Sequence, residues 1–288
     1  MSIPVIPSIP DSRKAVAAAR GRSQTVGFVP TMGALHEGHA SLIRLARQQC
    51  GFVVVSVFVN PTQFGPNEDF TRYPRTLPED LAVCEREGAD LVFAPEPAAM
   101  YPPGFRTFVE VAELGDHLCG PSRPGHFRGV ATVVLKLFNV VQPDRAYFGQ
   151  KDAQQARIIR QMVRDLNVPT EIVVAPTVRE PDGLALSSRN RYLGPAERTH
   201  ATVLIEALRE ARRRVEAGER DAAALRTMMA DRVRATPGAV LDYAEVVDAD
   251  TFRPVDRLAA PAVAALAVTF GTTRLIDNME LPVNPSEE

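Results

Sequence analysis

The stretch VGFVPTMGALHEGHASLIRLAR, residues 26–47, runs from an apolar segment through a glycine-containing turn into a helical pattern, and it holds two of the chain's five histidines. Residues 25–29 read as a short buried strand, and 38–49 as a helix carrying Leu42, Leu45 and Ala46 on one face. His36 and His39 stand where one becomes the other. Gly33 and Gly38 bracket the turn, so backbone amides can approach a ligand closely, and a helix beginning near Gly38 would aim free N–H groups at an anion. That describes a phosphate site, yet neither GxxxxGK[ST] nor GxGxxG is present. Nor is it HExxH: the histidines lie three apart and no third ligand follows nearby, which argues against zinc. Two readings remain at this point. Either the imidazoles cap and hydrogen-bond a turn, or they donate to phosphate oxygens as negative charge builds there, a task suited to an unperturbed histidine pKa of about 6.5.

Outward from this stretch, helical and strand-like patterns alternate. A helix is expected at 12–22, a β-branched and aromatic strand at 52–59, a helix at 78–87 stopped by Gly88, and a strand at 90–94. An apolar, buried helix follows at 130–141, then a strand at 145–148, an amphipathic helix at 153–166 and a strand at 171–175. This order predicts an α/β fold, a Rossmann-like doubly wound parallel sheet with right-handed crossovers, whose ligands sit beyond the carboxyl ends of the strands. Polar passages fall at those ends: 31–33, 60–63 and 149–152. The texture changes after about 176. A long helix opened by Gly194-Pro195 and running to 217, a second helix at 222–235, and strands at 242–247 and 264–270 predict a second, smaller α+β domain. The expected division is 1–176 for the Rossmann-like domain and 177–288 for the smaller one, with a frayed tail at 285–288.

A net charge of -2 and a pI near 6.3 give no support for nucleic acid as the main partner. Cys50, Cys84 and Cys119 form neither a CxxC nor an even-numbered framework, as suits a reducing compartment. Prolines interrupt the first residues where a secretory signal needs an apolar core, and the apolar run 258–268 is too short for a span and contains Pro261. The expectation is a soluble, cytoplasmic protein with no membrane partner. Lysine occurs only at 14, 136 and 151, so each lysine in an arginine-rich chain merits a question.

His36-Glu37-Gly38-His39 matches the HxGH signature of the nucleotidylyltransferase superfamily. With it come FVNPTQF at 58–64, YPRTLPED at 73–80, SRPGHFRGV at 122–130, YFGQKDAQQ at 147–155 and VREPDGLALSSRNRYL at 178–193. Together and in this order they resemble the pantothenate synthetase family. The resemblance implies that the carboxylate of pantoate attacks the α-phosphate of ATP with release of pyrophosphate, after which the amine of β-alanine displaces AMP from the pantoyl adenylate. Anion meets anion in the first step, so cations, donors and Mg2+ are needed.

The resemblance also assigns residues. Met32, Gly33, Ala34, Leu35, His36, Glu37, Gly38 and His39 are expected at ATP, with His39 as proton donor or transition-state stabiliser and His36 beside it. Asn60 and Gln63 are expected to face pantoate, Gln63 also β-alanine. Gly149, Gln150, Lys151 and Asp152 are expected at ATP and Gln155 at pantoate; Val178 is expected at adenine. Leu186, Ser187, Ser188 and Arg189 correspond to the superfamily's KMSKS-like second signature. Lys151 and Arg189 complete the expected catalytic set with the two histidines; the metal ligands stay unassigned. A homodimer and closure of the small domain over ATP are implied in the same way. Arg123, His126 and Arg128 would form a basic flap near phosphate or at the dimer contact, and Lys136 either reaches the site or is solvated. Cys119 replaces a glutamate of some members and reads as a packed small residue. The competing readings are a nucleotidylyltransferase for another small acid or phosphate, an aminoacyl-tRNA-type protein, and a non-catalytic nucleotide sensor.

Overall fold

A computed structural model describes residues 2–66 and 68–283. They divide into two compact units, each discontinuous in sequence: Met1–Ala112, Arg123–Gly149 and Gln155–Pro176 in the first, and Glu113–Ser122, Gln150–Gln154 and Thr177–Glu288 in the second.

The first unit is built on strands β1 (Val5–Ile6), β2 (Val26–Thr31), β3 (Phe52–Val57), β4 (Leu91–Phe93), β5 (Arg145–Gly149) and β6 (Glu171–Ala175). They form one sheet in the order β1-β4-β3-β2-β5-β6, with every pairing parallel. Helices α1 (Ile9–Gly21), α2 (Glu37–Gln49), α3 (Leu77–Arg86), the short α4 (Pro97–Met100) and the short α5 (Cys119–Ser122, in the second unit) precede α6 (His126–Val141) and α7 (Ala153–Asp165). Alternate strand residues feed two cores. Val26, Phe28, Val54, Leu91, Phe93, Ala146 and Phe148 pack with α1, α6 and α7, whereas Val29, Val53, Val55, Val92 and Tyr147 pack with α2 and α3. Covering both faces is what makes the strands read as unbroken apolar runs. Strand order reverses between β2 and β5, so the loop after β2 emerges at the switch point where such sheets bind ligands.

The sequence carries no sign of β1. Val5 and Ile6 are good β-formers, but two residues between Pro4 and Pro7 are too short a run to read as a strand, and the flanking prolines are tolerated because the strand is an edge. The turn Pro61–Gln63 lies against α6, where Gly129 makes the approach possible: a β-carbon there would stand 2.3 Å from the Thr62 carbonyl oxygen and 2.8 Å from Gln63 Cα.

In the second unit, β7 (Ala239–Asp248), β8 (Ala262–Phe270) and β9 (Thr273–Leu281) form an antiparallel sheet in sequence order. Its core joins Leu204, Leu208 and Ala211 with Leu225, Met229 and Val233 against Ala264, Leu266 and Val268 of the central strand. The single helix expected at 194–217 is two, α8 (Pro195–His200) and α9 (Val203–Glu216), followed by α10 (Ala222–Arg234). The Thr202 hydroxyl donates to the Thr199 carbonyl at 3.0 Å, a local bond of the kind that competes with a continuous helix. β9 escapes a sequence reading because Asp277 and Asn278 are both buried in it, breaking the alternation of apolar and polar residues. The expected fray at 285–288 lies outside the described residues.

Gly129→Ala is expected to destabilise the protein by about 1–3 kcal/mol through overpacking, measured by denaturant unfolding. An unchanged unfolding midpoint would show that the turn at 61–63 moves aside freely.

Candidate active site

The turn after β2 is held from three sides. The Thr31 hydroxyl, buried, donates to the Ser56 carbonyl at 2.7 Å and accepts from the Gly33 N–H at 3.1 Å. Gly33 (φ +81) and Ala34 (φ 50) both take left-handed backbone, and a β-carbon on Gly33 would meet Asp80 Oδ2 at 2.9 Å. Asp80, projecting from α3 and 1 % exposed, accepts the Ala34 N–H at 3.1 Å and the Leu35 N–H at 2.7 Å. Burial raises its carboxyl pKa, against the pull of those two N–H groups. Asp80 lies within the recognised segment 73–80, but its role as the clamp of this turn is visible only in three dimensions.

The clamped turn delivers His36 to the N-cap of α2, which begins at Glu37 rather than Gly38. His36 Nδ1 accepts the Gly38 N–H at 3.1 Å, and His39 Nδ1 accepts the His36 N–H at 3.3 Å. The Gly38 N–H expected to face an anion is therefore occupied by its neighbour's ring. The two rings lie 4.2 Å apart, centroid to centroid. With Nδ1 of each ring accepting a backbone proton, the neutral imidazoles carry their own hydrogens on Nε2. Capping and donation, weighed as alternatives from the sequence, are thus compatible: one nitrogen caps, the other is a donor.

Asn60 caps the turn Pro61–Gln63 and is 1 % exposed. Its Oδ1 accepts from Tyr101 Oη at 2.8 Å and from the Thr62 hydroxyl at 3.0 Å, while its Nδ2 donates to Gln63 Oε1 at 3.0 Å and to the Gly129 carbonyl at 3.2 Å. Asn60 is committed within the protein and fixes Gln63. The Gln63 amide nitrogen in turn points at Met32 Sδ, 3.0 Å away. The Gln63 carbonyl is 2.8 Å from His126 Nδ1, and Arg123 Nη1 is 2.9 Å from His126 Nε2. An arginine only donates, so Nε2 accepts and Nδ1 carries the proton given to Gln63.

The residues of the expected basic flap are therefore occupied separately. Arg123 makes a two-pronged ion pair with Glu68 at 2.7 Å for both prongs, His126 holds Gln63, and Arg128 stacks 4.1 Å over the Phe108 ring. Lys136 lies over Phe105 and Tyr101, at 4.7 and 5.7 Å from their centroids, and burial lowers its pKa. Gly149 ends β5, and Gln155 stands in the first turns of α7; both belong to this unit.

The remaining expected residues gather in the second unit. Gln150, Lys151 and Asp152 form one 3-10 turn. The Leu186 N–H donates to the Val178 carbonyl at 3.0 Å, and the Ser187 hydroxyl accepts from the Arg189 N–H at 3.2 Å. Asn190 ties this segment back through Glu180 Oε1 at 2.9 Å and the Ala185 carbonyl at 3.1 Å. Val178 and the segment 186–189 thus belong to one hairpin-like loop. Cys119 is buried, a free thiol 3.3 Å from Tyr243 Oη and 3.6–3.7 Å from Arg274. No group of three or more His, Cys, Asp or Glu side chains among the described residues is arranged to hold a metal ion.

Burial opposes ionisation of Glu68, but the hydrogen bonds and charge of Arg123 outweigh it and hold the carboxyl below its ordinary value of 4.5. A lowered folded pKa means that the stabilisation is complete above 4.5 and is lost as pH falls through the folded value. Glu68→Gln is expected to cost about 1 kcal/mol at pH 7, as befits a partly exposed pair, and the gap between the two proteins should close in acid. Urea unfolding at both pH values measures it; a gap that widens in acid would contradict the pairing.

Residues 4–280 match the family described as pantoate-beta-alanine ligase. The pantothenate synthetase of Moorella thermoacetica is 58 % identical over 272 residues, covering 94 % of this chain and 96 % of that one. That of Roseiflexus castenholzii is 58 % identical over 274 residues, covering 95 % and 98 %. Among solved structures, pantothenate synthetase from Thermus thermophilus superposes with a TM-score of 0.93 at 48 % identity, covering 98 % of this chain and all of that one (100 %). The pantoate-beta-alanine ligase of Francisella tularensis, solved with beta-gamma ATP and beta-alanine, gives 0.81 at 36 % identity, covering 99 % and 100 %. With its motifs, sheet order and full-length similarity in agreement, the chain belongs to the pantoate-β-alanine ligase family.

Proposed function

We propose that this chain condenses pantoate with β-alanine to pantothenate, using ATP and releasing AMP and pyrophosphate. A pantoate carboxylate oxygen attacks the α-phosphorus as the bond to pyrophosphate breaks, leaving a pantoyl adenylate. The β-alanine amine then attacks the acyl carbon, AMP departs with the bridging oxygen, and the amine loses a proton. The observation that carries the reading is the imidazole pair at the α2 N-terminus, whose Nδ1 atoms are committed to the cap and whose Nε2–H groups are thereby donors. His39, with His36 beside it, stabilises charge growing on the transferred phosphate. A donor placed on developing charge lowers a barrier by about 2.7–4 kcal/mol.

The segment 32–39, Gly149, Gln150, Lys151, Asp152, Val178, Leu186, Ser187, Ser188 and Arg189 serve ATP. Lys151 and Arg189 supply the cations that let a carboxylate approach a polyphosphate, and a compact ammonium at 151 can follow the phosphate as it moves. Gln63 and Gln155 serve pantoate: an amide both donates and accepts, which matches hydroxyl groups. Asn60, fully engaged with its neighbours, acts through Gln63. Mg2+ held chiefly by substrate phosphates needs only one or two carboxylates. Asp152, next to Lys151, fits that demand. Among the described residues no helix is long and apolar enough to cross a membrane. A cytoplasmic homodimer is the setting we propose.

The test is product analysis with MgATP and pantoate, with and without β-alanine. AMP and pantothenate formed together only when all three substrates are present support the reading; no pantothenate, or a stable nucleotidylated product, overturns it. His39→Ala is expected to slow pantoate-dependent pyrophosphate release by about 10²–10⁴-fold, with the thermal midpoint lowered only by the loss of its one capping bond, about 1 kcal/mol. Release at the wild-type rate would remove His39 from the chemistry.

A further inference from the structure

Lys151 occupies a three-residue 3-10 turn, too short to fix its own direction. Its geometry is set from β9. The Asn278 amide nitrogen donates to the carbonyls of both Gln150 and Lys151, each at 2.9 Å, and the Asn278 Oδ1 accepts from Gln150 Nε2 at 3.4 Å. Two donors on consecutive carbonyls fix two peptide planes and hence the direction in which the Lys151 side chain leaves the backbone. A neutral primary amide suits this: a carboxylate of the same shape has no donor, and a hydroxyl has one. Asn278 is 7 % exposed, so water has little access to replace it.

The preceding residue serves a second segment. Asp277, 3 % exposed, receives Arg179 at 2.6 and 3.0 Å and the Asn278 N–H at 2.8 Å. Arg179 follows Val178 and pairs with Ala185 as an antiparallel bridge, next to the Val178–Leu186 bond. One dipeptide of β9 thus holds two segments distant in sequence, 150–151 and 178–186, that the reading above assigns to ATP.

We propose that Asn278 is a positioning residue for ATP, acting through Lys151, with Asp277 securing the adenine-side loop alongside it. The inference rests on the assignment of Lys151 to ATP. Asn278→Ala is expected to raise KM for ATP at least tenfold while KM for pantoate and for β-alanine stays within twofold. A role confined to stability would instead lower the active fraction, reducing kcat with all three KM values unchanged.

A mutant cycle with Lys151→Ala decides whether the effect runs through the lysine. If it does, the double variant has the ATP dependence of Lys151→Ala alone. Multiplicative losses, or an unchanged KM for ATP in folded Asn278→Ala, overturn the proposal. A normal ATP dependence in Lys151→Ala by itself overturns the underlying assignment instead. If Asn278→Ala does not fold, Asn278→Ser, which keeps one donor, takes its place in the same cycle: an intermediate rise in KM for ATP alone is expected, and a wild-type KM for ATP contradicts it.

Discussion

The site depends on how the backbone N–H groups at the start of α2 find acceptors. Helix N-termini ordinarily take a serine, threonine, aspartate or asparagine oxygen; here imidazole Nδ1 atoms accept from Gly38 and His36. An oxygen cap would satisfy the backbone and stop there. An imidazole has a second nitrogen, and using the first as an acceptor decides that the second carries hydrogen. The cap therefore sets a tautomer as well as a helix start, and two donors stand side by side where helix geometry already favours an anion.

That arrangement exists because the preceding turn cannot drift. Gly33 and Ala34 lie in left-handed backbone, and Asp80 accepts two successive N–H groups from a helix more than forty residues later in the chain. The same solution recurs across both units. Asn60 fixes Gln63, His126 holds the Gln63 carbonyl, and Asn278 holds the turn of Lys151. In each case a buried polar side chain with every role matched supports a residue that the proposed reaction uses. Leaving one such buried partner unmatched costs about 1–3 kcal/mol, which is enough to shift a side chain from its working position.

The first unit was legible because its strands are covered on both faces and its helices alternate with them in sequence. The motif passages also fell at strand ends by simple reading order, and their joint similarity to one family named the chemistry. What escaped had physical causes. β1 is a proline-flanked edge, and β9 hides its polarity inward with Asp277 and Asn278, so neither shows the expected pattern. The break at Ala201-Thr202 follows from a local hydroxyl bond within an otherwise helical composition. Asp80, Tyr101 and Asn278 look ordinary in a linear sequence because their partners are 41–128 positions away. The bonds of Asn60 to Tyr101, Gln63 and Gly129 are likewise hidden in the sequence, because two of the three partners lie 41 and 69 positions away.

The most direct test of the capped imidazole pair is nitrogen-15 NMR of the histidine rings at neutral pH, assigned with His36→Gln and His39→Gln variants. Both rings, when neutral, are expected to show a protonated Nε2 and an unprotonated Nδ1. A proton on Nδ1 of either neutral ring would contradict the capping, because that nitrogen could then no longer accept from the backbone.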